Sequence, residues 1–151
     1  MTLDDLGNLG EVVGTLGVVA TLVYLALQIR QNTRSVRAST FHEAIRDIAD
    51  AIDQLGHDAD LTRVFYTGLA DFEALPRLEQ QRFASYMTAV LRRYENVLYQ
   101  AEQGHLDPEV WHGIREHLRY VFSQTGTRAW WKRAHNLFNR QLREFIDREL
   151  L

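Results

Sequence analysis

The chain has 151 residues, 46% hydrophobic and 25% charged, with a formal net charge of −3. That balance fits one domain, or an anchor plus one small domain, and it excludes the basic footprint of a dedicated nucleic-acid binder. The absence of cysteine removes disulfides, thiolate metal sites and cysteine nucleophiles, while two prolines and nine glycines leave little room for long loops or disorder.

The first element is announced by residues Val12 to Ile29, eighteen positions without a charge. At the rise of an α-helix they span roughly 27 Å, close to the thickness of a bilayer hydrocarbon core. The expectation is an extracytoplasmic N-terminus and a single-pass transmembrane helix within residues 1–30, followed by an all-α cytoplasmic bundle over residues 31–151; a buried helix of a soluble protein is the competing reading. Asp4, Asp5 and Glu11 precede the apolar run, and no small-x-small site follows it, which argues against a cleaved signal peptide. Arg30, Arg34 and Arg37 follow the run, and no Lys or Arg precedes it. The positive-inside rule then puts the N-terminus outside and the rest in the cytoplasm, with these arginines at the membrane interface.

One side of this helix differs from the others. Gly7, Gly10, Gly14, Gly17, Thr21, Tyr24 and Gln28 recur at alternating spacings of three and four, and Gln31, Ser35, Ser39, His42 and Arg46 carry the same stripe onward. The remaining faces hold Val12, Leu16, Val19, Leu22, Val23, Leu27 and Ile29, which suit lipid. Within a membrane, small residues let backbones approach and polar side chains bond across helices. The stripe is therefore expected to be the interface of a homo-oligomer. An unidentified membrane-protein partner is an alternative, and glycine frequency alone is another. Thr21, Tyr24 and Gln28 would line the pore if the assembly were a channel.

No proline or glycine interrupts residues 18–55, and Phe41, Ile45, Ile48, Ile52 and Leu55 give one apolar face. One helix is thus expected from about residue 8 to residue 55, stopping at Gly56, with Asn32-Thr33 as a place for a bend. The apolar face lies about 140° from the glycine stripe. A second helix is predicted from an Asp60 cap to Phe72, with Leu61, Val64, Phe65 and Leu69 inward. A long helix follows Leu75-Pro76 and runs to about Gln103, with Phe83, Met87, Leu91, Tyr94 and Leu98 inward and Gly104 as its stop. Asp107-Pro108-Glu109 opens the next helix, which ends before Gly126. The last segment, Thr127 to Leu151, carries an apolar face with a break near Asn136–Asn139. Short connections imply antiparallel neighbours in a bundle.

Catalytic signals are absent. Among six histidines, His112 and Glu116 stand four apart with His105 and His117 nearby, yet there is no His-Glu-x-x-His motif. No metal site, cofactor or enzymatic activity is expected. Glu95, between Tyr94 and the nearby Tyr99, is a candidate buried carboxylate paired with an arginine in a structural role. Arg128-Ala-Trp-Trp-Lys-Arg133 combines Trp130 and Trp131 with cations, as a membrane interface favours, although a core position for the rings competes.

Residues Leu6 to Gly14, Leu22 to Thr40, Gly68 to Phe72, Gly104 to Trp111 and Arg128 to Trp131 together cover much of the chain. This pattern resembles a family of uncharacterised small bacterial single-pass membrane proteins with a helical cytoplasmic domain. The resemblance implies a bacterial source and a single family domain, and it carries no activity, substrate or catalytic residue. The expected function is that of a non-enzymatic, homo-oligomeric inner-membrane scaffold or regulator. An ion channel lined by the stripe is one alternative, and an accessory subunit for another membrane protein or a cytoplasmic enzyme is the other. Membrane lipid and a second copy of the chain are the expected partners, and nucleic acid is not.

Overall fold

The computed structural model describes the backbone of residues 3–151 and the side chains of residues 14–36 and 38–151. Six α-helices follow one another: α1 Leu3–His57, α2 Ala59–Ala70, α3 Arg77–Glu102, α4 Pro108–Ser123, α5 Thr125–Ala134 and α6 Arg140–Glu149. A 3₁₀ turn, His135–Leu137, separates the last two, and no strand occurs among the described residues. The chain divides into two units, Met1–Ala38 and Ser39–Leu151, with the division falling inside α1.

Local chemistry sets the helix ends. Asp58 caps α2 by accepting from Leu61 N at 2.8 Å, two residues before the cap expected at Asp60. That backbone bond, together with the Arg82 guanidinium, holds the Asp58 carboxyl below its ordinary value. Asp107 accepts from Glu109 N at 2.8 Å and Pro108 fills the first turn of α4. Asn139 accepts from Leu142 N at 2.8 Å and starts α6 where a break was expected. Gly104, at φ +68°, follows α3 in the left-handed conformation that residues with a Cβ resist.

The core lies within Ser39–Leu151. Val64, Phe83, Phe122, Leu142 and Ile146 are wholly buried. Trp130 stands edge-on to Phe83, and Trp131 edge-on to Phe122 while stacking on Phe138. The Trp131 indole donates to Asp147 Oδ1 at 3.0 Å, satisfying its one polar group. Helices α2 and α5 meet at two glycines. A Cβ built on Gly126 would lie 2.0 Å from the Gly68 carbonyl oxygen, and one built on Gly68 would lie 2.4 Å from the Phe83 ring. Gly126 was expected beyond a helix end; it instead sits in the first turn of α5, where the neighbouring backbone leaves no space for a side chain.

The C-terminal part of α1 belongs to this unit and is held unusually. The carbonyls of Asp47, Ala51 and Leu55, four residues apart, share one helix face. They accept from Arg93 (2.9 Å), Tyr86 (2.6 Å) and Thr62 respectively. Ala44 and Ala51 are the buried residues there, with Ile48 partly covered. The expected stripe is therefore displaced: Ile45 and Ile52 are exposed, at 41% and 57%. The small alanines bring the backbone near enough for side chains of α2 and α3 to reach its carbonyls, and a row of isoleucines would hold it farther off.

The expected membrane span is not found. No helix among the described residues is long and apolar enough to cross a membrane. The apolar run opens with Val12 and Val13, whose side chains lie outside the described residues. From Gly14 onward, an eighteen-residue window takes in Arg30 and Gln31, and its glycines, threonines, Tyr24 and Gln28 dilute the aliphatic residues. The single-pass architecture, the inner-membrane placement and the outside-to-inside orientation fall with the span.

Candidate self-association segment on the first helix

In the Met1–Ala38 unit, no residue with a described side chain is buried. Leu16, Val18, Val19, Leu22, Val23, Leu25, Leu27 and Ile29 all stand between 45% and 66% exposed. At about 100° per residue these eight occupy more than half of the helix circumference. Monomeric proteins rarely leave a continuous aliphatic surface of that kind in contact with solvent, and such surfaces mark interaction sites. Among the described residues of this unit, none packs over the segment, and its helical form rests on local bonding.

The glycine and polar stripe falls on the other side. Gly7 and Gly10 lie outside the residues with described side chains. A Cβ placed on Gly14 or Gly17 would meet nothing within 4 Å, so the backbone there is open to close approach. Thr21 donates to Gly17 O at 2.8 Å and Thr33 to Ile29 O at 2.9 Å, so both hydroxyls are satisfied within the helix. Tyr24 is 63% exposed. Gln28, Gln31 and Ser35 border a shallow open groove with Leu25, Ile29 and Asn32. Arg30 and Arg34 are exposed, and the side chain of Arg37 lies outside the described residues.

Trp130 and Trp131 are 2% and 3% exposed, so neither ring reaches the surface where an interfacial role would place it. Glu95, 12% exposed at its side chain, pairs with Arg92 at 2.9 Å and accepts from Asn139 N at 2.7 Å. It ties α3 to the start of α6, a structural role. His105 contacts Gln100, and His112 contacts Arg115 on its own helix. No group of three metal-ligating side chains gathers among the described residues. From the sequence, the aliphatic arc is assigned to lipid; the structure leaves it exposed.

Comparison of the chain with protein-family models, with curated proteins and with solved structures finds no match.

Proposed function

We propose that this chain is a non-enzymatic homo-oligomeric scaffold or regulator, joined through the N-terminal half of α1. The observation that carries this reading is the uncovered aliphatic arc from Leu16 to Ile29. With lipid on that arc, the glycine stripe was the natural seam. Without lipid the argument reverses: the surface that must leave water is the aliphatic one, and the hydrophobic effect drives it onto its own kind. The polar stripe, with Thr21, Tyr24 and Gln28, then faces solvent.

The burial available is of the same order as the cost of association. Covering the exposed half of a large aliphatic side chain contributes roughly 1 kcal/mol. Eight such residues contribute on the order of 8 kcal/mol per protomer, against an association cost of about 4–15 kcal/mol. A single partner covers only one side of a helix, so an arc this wide favours three or more copies. The helical unit Ser39–Leu151, continuous with that segment in the chain, would be brought to high local concentration by assembly.

The cysteine-free sequence makes the test direct. Val19→Cys lies at the middle of the arc and Thr21→Cys on the opposite side. Under mild oxidation the first should form disulfide-linked dimers readily and the second far less. Efficient linkage at Thr21 with none at Val19 would reject the arc as the interface, and linkage to a different protein in cells would favour the accessory-subunit alternative.

A further inference from the structure

The Ser39–Leu151 unit contains a cavity of about 400 Å³ among α1, α2, α3 and α4. Ile48, Ile52, Leu69, Met87, Leu91 and Val121 supply apolar wall. An apolar cavity of about 150 Å³ already takes up benzene, and sites for small molecules begin near 300 Å³, so this space is large enough for a molecule rather than a packing flaw.

Its lining also carries polar side chains, among them Asp47, Tyr86, Arg93, Tyr94 and His117. Tyr94 is 5% exposed and lines the cavity. A phenol that borders a cavity carries one O–H that can donate to a molecule held there. Burial pushes the Tyr94 phenol up to about 12, so it stays protonated and available as a donor. The neighbouring Tyr86 hydroxyl is already engaged with Ala51 O, and Arg93 with Asp47 O. The side chains of Asp47 and Arg93 both border the cavity. An anionic head would meet the first and a cationic head the second, whereas an uncharged head meets no like charge.

We propose that this cavity binds a small uncharged amphiphile, with an aliphatic body on the apolar wall and one oxygen accepting from the Tyr94 hydroxyl. The α1 wall is held by three hydrogen bonds, by the buried Ala44 and Ala51 and by Ile48 packed against the core. The site lies wholly within one unit and stands independently of the assembly proposed above.

The test is calorimetric titration of the full-length protein with 1-octanol, which carries the oxygen, and with n-propylbenzene, which lacks it. The wild type should bind each at one saturable site. Tyr94→Phe keeps the ring and so the packing; it should weaken 1-octanol roughly two- to tenfold and leave n-propylbenzene unchanged. Val90→Trp, at the cavity lining, should abolish both without lowering the melting temperature. Absence of saturable binding by the wild type, or 1-octanol binding that neither variant alters, would overturn the proposal.

Discussion

Glycine inside a helix ordinarily costs stability, and two of them here do so for different returns. Gly126 admits the α2 backbone: any Cβ there would stand 2.0 Å from Gly68 O, 2.7 Å from Phe72 N and 2.8 Å from Leu69 O. All three are backbone atoms, which cannot swing aside as a side-chain tip can. Gly113 in α4 has nothing within 4 Å of the corresponding point. Gly126→Ala should therefore destabilise the fold by about 2–4 kcal/mol, and Gly113→Ala should stabilise it by about 0.5–1 kcal/mol. Chemical denaturation of the two variants checks both signs; a neutral Gly126→Ala would mean that α2 and α5 do not meet as described. The sequence alone offers no way to tell these glycines apart. One letter stands for both, and the difference lies in a helix more than fifty residues away in the chain.

At the scale of the element, helix positions were legible because capping and periodicity are local. Asp107-Pro108 and Gly104 mark the ends of α4 and α3 through bonds to residues a few positions away. The seating of α1 was not legible. Apolar spacing pointed to Ile45 and Ile52, but the bundle takes Ala44 and Ala51 and holds the carbonyls of Asp47, Ala51 and Leu55 by side-chain donors. Backbone acceptors leave no trace in residue identity, so Tyr86 and Arg93 gave no signal. Removing one donor tests this clasp. Tyr86→Phe should raise amide exchange across residues 44–55 roughly three- to tenfold while leaving α5 and α6 unchanged, as expected when one net hydrogen bond of about 1 kcal/mol is lost from a locally opening segment. Uniform acceleration throughout the unit would instead show that α1 unfolds only with the whole core.

For the whole molecule, the all-helical composition followed from pattern, while the environment of its first forty residues did not. An apolar run reads the same whether lipid or protein covers it. The membrane reading counted eighteen uncharged residues; the described part of α1 contains no stretch apolar enough to span, and its aliphatic arc is left open. In the proposed assembly the side taken to face lipid, rather than the glycine stripe, forms the seam. Sedimentation velocity on the full-length chain tests this most directly. The account predicts a single species of at least three times 17.6 kDa, which falls to the protomer mass when Val19 and Val23 are both changed to glutamine. A wild-type chain that sediments as a monomer at micromolar concentration would contradict it.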